Sequence, residues 1–203
     1  MAQVYRRIAN PFMPNGTPDL TNAKSPYYAP GELGCTFNDP NTGNQYLRVQ
    51  VDSGATSSTG IGHTPQIGEV AYWKNVAQSI VTNDKAQCDL AATAAPNRIA
   101  GIFGVAPTVT ANVNGSDGQP LMYMVDLLVK TGATPGQLQC SSAPTAGEIA
   151  TGNTASNTAN SVVLSVGTAP ASQPLGVFTG GAAVTHAGAS STYPCDINVG
   201  FAD

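Results

Sequence analysis

The sequence predicts an all-β protein: a β-barrel or β-sandwich built from two repeated β units, preceded by an extended Pro-rich N-terminal arm. Three observations lead there. Charged residues make up 10% of the chain while glycine and proline number 22 and 15, against roughly 25% charged residues in average soluble proteins. Long surface helices need Glu, Lys and Arg on their wet face, so this composition favours short strands and turns. Next, short apolar stretches alternate with polar residues between Gly, Pro, Asn and Asp clusters, the pattern of an all-β domain. Finally, four landmarks recur in the same order at nearly one spacing. Tyr46 is matched by Tyr123, Gly54 by Gly132, Gly68-Glu69-Val70-Ala71 by Gly147-Glu148-Ile149-Ala150, and Gly101-Ile102-Phe103 by Gly176-Val177-Phe178. A solenoid needs at least about three repeats, so two copies read as halves of one domain. The division is an arm over 1–33 and a domain over 34–203, with units of approximately 34–106 and 107–203.

In chain order, Pro11, Pro14, Pro18, Pro26 and Pro30 keep helix and central strand out of the arm. Its Tyr5, Ile8, Phe12, Met13, Tyr27 and Tyr28 are anchors that a disordered linker would lack. The arm either wraps a neighbouring subunit or folds back on its own domain. Cys35-Thr36-Phe37, a turn over Asn38–Asn44, and the alternation of Leu47, Val49 and Val51 with Arg48, Gln50 and Asp52 predict a hairpin with one buried and one wet face. A Ser53–Pro65 loop leads to strands at Glu69–Trp73 and Ser79–Thr82. Asp84–Ala95 is the helix candidate, stopped by Pro96. Ile99–Ala106 reads as a buried strand. Val109, Ala111 and Val113, the turn Asn114–Gly118, and Leu121–Lys130 form the strongest hairpin signal. Polar loops around Pro135 and Asn153–Asn160, strands at Val162–Val166 and Leu175–Thr179, and a last alternation of Ile197, Val199 and Phe201 complete the second unit.

Composition narrows function. Net charge is −4 and no Lys or Arg follows Lys130, so direct nucleic-acid binding, which needs clustered cations, is not expected. Arg6 and Arg7 precede no apolar segment, and Leu121–Val129 and Ile99–Ala106 fall far short of a bilayer, so neither a signal peptide nor a membrane partner is expected. Synthesis in the cytosol, with the protein staying soluble, is the expectation. Cys35, Cys88, Cys140 and Cys195 show no Cys-x-x-Cys spacing and read as buried free thiols; export from the reducing cell would open the alternative of disulfides.

The chemistry-bearing candidate is Asp52-Ser53-Gly54-Ala55-Thr56, which looks like the catalytic loop of a retroviral-type aspartic protease. Such an enzyme needs two carboxylates sharing a proton in a dry cleft. An internal duplicate would supply the second acid in a pepsin-like enzyme, but the repeat Val129–Thr134 places Lys130 where Asp52 stood. A dimeric enzyme using Asp52 twice stays open, with Ile102-Phe103-Gly104 resembling the apolar-apolar-Gly segment of those families. His63 and His186 lie far apart, no Gly-x-Ser-x-Gly elbow or Walker lysine occurs, and the acids are scattered singly. No cofactor and no metal are expected, and the reading is a protein that is not an enzyme.

Tyr123–Ala133, Gly68-Glu69-Val70-Ala71 with its echo at Gly147, and Pro96–Gly104 resemble the small all-β decoration proteins of tailed bacteriophages, also called cement or head-stabilising proteins. The resemblance implies a β module on the outer face of an icosahedral capsid in the virion. Such modules are often trimeric, and they bridge subunits of the major capsid protein. On that implication Tyr5, Arg6, Arg7, Phe12, Met13, Tyr27 and Tyr28 are the expected partner-interface anchors, since Arg and aromatic residues dominate binding hot spots. A phage fibre or tail adhesin built on the same module is the remaining alternative.

Overall fold

A computed structural model describes residues 36–52, 64–73, 80–83, 99–104, 122–140, 142–151, 164–166, 174–185 and 191–199. The arm, the Asp84–Ala95 helix candidate and the Val109–Val113 strand lie outside the described residues.

Every described element is a strand. β1 (Thr36–Asn38), β2 (Gln45–Asp52), β3 (Val70–Trp73), β4 (Ile80–Thr82), β5 (Ile99–Ile102) and β6 (Met122–Lys130) form one sheet. Its order β2-β4-β3-β5-β6 closes through the long antiparallel ladder of β2 with β6, giving a five-stranded barrel with β1 added on β2. Within this barrel β2 and β4 run parallel. β7 (Gly136–Gln139), β8 (Ile149–Thr151), β9 (Leu164–Val166), β10 (Pro174–Phe178) and β11 (Thr192–Ile197) form the second sheet, in the order β7-β11-β10-β8-β9.

Alternation along β2 and β6 fills the barrel. Leu47 faces Leu127 and Val49 faces Val125 in the register, and all four side chains are buried, with Trp73 and Val81 in the same core. The opposite faces depart from the expectation of a wet surface. Tyr46, Arg48, Asp126 and Leu128 are buried as well, and Gln50 is half-buried. Burial on both faces explains why β6 reads as a nearly continuous apolar run.

The duplication holds bond for bond at the β3–β5 and β8–β10 pairs. Gly68 N donates to Phe103 O at 2.8 Å and Phe103 N to Glu69 O at 2.9 Å; Gly147 N donates to Phe178 O at 2.8 Å and Phe178 N to Glu148 O at 2.9 Å. Each turn is closed by a glutamate: Glu69 Oε2 accepts from Gln66 N at 3.2 Å, and Glu148 Oε2 accepts from Thr145 N at 2.8 Å. Gly68 and Gly147 adopt φ of 80° and 88°, a region that L side chains resist, which is why glycine recurs there. Both strand pairs are also irregular at the same place, between Ala71 and Tyr72 in the first and between Pro174 and Gly176 in the second.

Two points of the sequence reading change. β5–β6 and β10–β11 are matching antiparallel pairs, as are β2–β6 and β7–β11, so β7 is the partner of β2 in the repeat and β11 the partner of β6. Tyr46 and Tyr123 lie on neighbouring strands of one barrel, not at equivalent places in two units, and the sheets divide between Lys130 and Gly136. Lys130 therefore does not stand in for Asp52: the ladder pairs Lys130 with Gln45 and Asp52 with Met122, at its opposite ends. The true counterpart of β2 carries Gly136-Gln137-Leu138-Gln139, without an acid.

The two sheets share one apolar core. Lys130 bridges Asn198, Val199 N donates to Val129 O at 2.8 Å, and Thr131 N donates to Ile197 O at 3.0 Å. The turn before β3 also reaches across. Gln139 N donates to Gly68 O at 2.9 Å, and Gln139 Nε2 donates to Ile67 O at 2.9 Å. In the first unit the corresponding edge of β2 pairs with β4. On β7 that edge is met by the Gly68 turn, and among the described residues no strand pairing closes the second sheet.

Candidate functional site

The expected interface anchors Tyr5, Arg6, Arg7, Phe12, Met13, Tyr27 and Tyr28 lie outside the described residues, as do Cys35, Cys88, His63, His186 and the loop after Asp52. The structure brings together a buried ion pair, two buried thiols and three exposed turns.

The ion pair joins β2 to β6. Arg48 Nε lies 2.8 Å from Asp126 Oδ1, and Arg48 Nη2 donates to Asp126 Oδ2 at 3.1 Å, a bidentate contact between residues directly opposite in the ladder. The two side chains are 8% and 1% exposed. The Arg48 guanidinium also sits 5.0 Å from the Phe37 ring centroid, and Phe37 stacks on Tyr46 at 5.8 Å. An acid held by a fixed guanidinium is a strut: its charge is neutralised and its oxygens are engaged, so it is not a general base. The pair was missed because Arg48 and Asp126 look like ordinary wet-face residues until the register places them opposite each other.

Cys140 and Cys195 are buried and stand outside any disulfide. Burial, with the Asp196 charge and Cys140 adding, pushes the Cys195 thiol up to about 12. Burial likewise raises the Tyr46 hydroxyl, the Asn44 hydrogen bond opposing and the Asp39 and Asp126 charges adding to the rise. Folding thus holds the Cys195 proton, while the unfolded thiol releases it near 9.0. Its contribution to stability is complete below that pH and is lost as pH rises toward 12. Two results are expected: Cys140 and Cys195 resist a thiol reagent at pH 8 until the chain unfolds, and the midpoint of urea unfolding falls above pH 9. Rapid labelling of either thiol in folded protein contradicts this.

The exposed turns differ from the interior in charge. Among the described exposed residues the charged ones are Lys130 and Asp196. At the β1–β2 turn, Asp39 accepts from Asn41 N at 2.9 Å and from the Thr42 hydroxyl at 2.7 Å, which spends its carboxylate inside the turn. The β6–β7 turn locks onto it: Gly132 N donates to Asn44 Oδ1 at 2.8 Å and Ala133 N donates to Thr42 O at 3.3 Å. The third surface combines Ser142–Gly147 with Thr179–Thr185, uncharged throughout and exposed at most positions, with Ala146 packed beside Gly180. Val184 is its large apolar member, 41% exposed; Val177, on β10, is 43% exposed. Apart from the Asn38–Asn44 turn and the Gly147-Glu148 echo of Gly68-Glu69, the uncharged residues of these Gly- and Ala-rich turns carry no sequence signal.

Among the described residues no group of three His, Cys, Asp or Glu side chains is placed to hold a metal ion, and no helix is long and apolar enough to cross a membrane. Comparison with protein-family models, with characterised proteins and with solved structures returned no match.

Proposed function

We propose that this chain is a structural virion protein that binds the outer surface of an icosahedral capsid and reinforces contacts between major capsid protein subunits. The observation that carries the reading is the surface. A β body whose exposed described residues include only Lys130 and Asp196 as charges can meet a neighbour closely without burying unpaired ions. Three of its acids, Asp39, Asp126 and Glu148, are engaged within turns and the buried strut. Packaged nucleic acid pushes a shell outward, and a subunit spanning a joint adds contacts that must break before the shell opens. Association as a homo-oligomer, a trimer by the resemblance, multiplies modest contacts through high effective concentration. The arm supplies the anchors Tyr5, Arg6, Arg7, Phe12, Met13, Tyr27 and Tyr28.

The test mixes purified shells lacking this chain with the wild-type protein, with a variant deleted for residues 1–33, and with Asp52→Asn. Wild type and Asp52→Asn bind alike and delay shell rupture on heating, while the deletion loses occupancy. Equal occupancy by the deletion variant removes the arm assignment. A peptidase activity that disappears in Asp52→Asn overturns the structural reading in favour of the dimeric protease. Binding to host cells by protein detached from particles favours the adhesin.

A further inference from the structure

The matched registers of the two units place Gln139 of β7 where Gln50 stands on β2. Ile102 partners Leu128 as Val177 partners Asp196, and Leu47 partners Leu127 as Gly136 partners Cys195. These equivalent positions are completed differently. Gln50 partners Ile80 of β4, a pairing internal to the barrel. The counterpart of β4 is β9, the antiparallel neighbour of β8 as β4 is of β3, and among the described residues no pairing joins β9 to β7. The barrel's Gly68 turn stands in its place: Gln139 N donates to Gly68 O and Gln139 Nε2 to Ile67 O, both at 2.9 Å.

The seat is tight. A methyl group on Gly68 would lie 2.9 Å from Gln139 N, 2.9 Å from Thr192 Cγ2 and 3.1 Å from Gln137 O. Gln139 and Thr192 are buried, and the Thr192 hydroxyl donates to Gln137 Oε1 at 2.9 Å, which holds that methyl in place. Leu128 of β6 reaches the same strand, since a methyl on Gly136 would lie 3.1 Å from Leu128 Cδ2.

We infer that the Gly68 turn is a clasp through which the barrel keeps the second sheet in order, and that the dependence runs one way. The barrel is completed by its own β2–β4 and β2–β6 pairings and keeps them when the clasp opens. The second sheet has its β7 edge completed by a turn of the barrel. Opening the clasp strips buried amide and carbonyl groups of their partners, so β7 and β11 loosen as a local unit while the barrel stays closed. The inference stands independently of the capsid-binding reading.

The experiment is native-state amide exchange, resolved by residue, on the full-length protein and on Gly68→Ala, Gly147→Ala, Gln139→Met and the double variant Gly68→Ala with Gln139→Met. Gly68→Ala is expected to speed exchange at Gln139 and along β7 and β11 by about tenfold or more, with the β2–β6 ladder exchanging as in wild type. Gly147→Ala imposes a side chain on the same positive φ with no neighbour within 4 Å among the described residues, so β7 exchange stays at the wild-type rate. Gln139→Met removes the side-chain amide at similar length and reproduces the loosening of β7. The double variant adds little to either single one, because both break one contact. Unchanged β7 exchange in Gly68→Ala overturns the clasp, as does equal loosening by Gly147→Ala, which would assign the effect to backbone strain. Equal acceleration of the β2–β6 ladder overturns the one-way dependence. Should Gly68→Ala fail to fold, Gln139→Met decides alone: wild-type exchange at β7, or acceleration spread evenly over both sheets, overturns the inference.

Discussion

Replacing Asp126 with alanine is expected to lower the free energy of unfolding by about 3–5 kcal/mol, enough to leave a domain of this size largely unfolded in mild urea. The reason is asymmetry. Removing one carboxylate strands the Arg48 guanidinium on a barrel face where its side chain is 8% exposed, and the Phe37 ring is only a partial substitute for an anion. The attraction within an intact buried pair mainly offsets the cost of desolvating both ions. Consequently the double replacement Arg48→Met with Asp126→Leu is expected to recover most of the loss. Urea unfolding of the two single variants and the double one measures this. If Asp126→Ala costs less than about 1 kcal/mol, in the range of an exposed pair, the pair is not a strut between β2 and β6.

Gly176→Ala is expected to be the most damaging change in the second unit, costing about 3 kcal/mol or more and separating β10 from β11. Gly176 pairs with Ile197, and a Cβ there would overlap the Asp196 carbonyl oxygen and lie 2.9 Å from the Asp196 carbonyl carbon. Backbone on backbone has no rotamer with which to yield, so the strands must part, and the Asn198 N to Leu175 O bond at 2.7 Å goes with them. Gly147→Ala is the comparison. Among the described residues nothing lies within 4 Å of its added methyl, so the positive φ is what opposes it, a cost of about 1–2 kcal/mol. Thermal unfolding of the two variants separates close approach from conformational strain; equal losses contradict the account of Gly176.

These contrasts show what the sequence carried. Strand positions were legible where alternation or an apolar run was strong, at β2, β5, β6 and β10, because burial on one or two faces leaves a periodic trace. The Gly-Glu-apolar-Ala and Gly-apolar-Phe landmarks were true repeats, since a turn at positive φ and a close strand crossing both demand glycine. The Tyr46–Tyr123 and Asp52–Lys130 matches were not, because β2 and β6 resemble each other as two apolar strands of one barrel. Only the register reveals that they are partners. β7 went unseen: Gly136-Gln137-Leu138-Gln139 has one apolar side chain, and its place comes from β11 and the Gly68 turn. The Thr145–Glu148 turn was visible as the echo of the Gly68-Glu69 motif. That one copy is docked and the other exposed depends on how the sheets pack, which no local pattern encodes.

The most direct test of the capsid reading is the ratio of this chain to the shell subunit in purified particles, measured by quantitative mass spectrometry. A bridging protein on a symmetric shell must occur in a fixed whole-number ratio to the subunits it joins, and that ratio should persist through stringent washing. A few copies per particle, or none, would contradict a structural role on the capsid exterior.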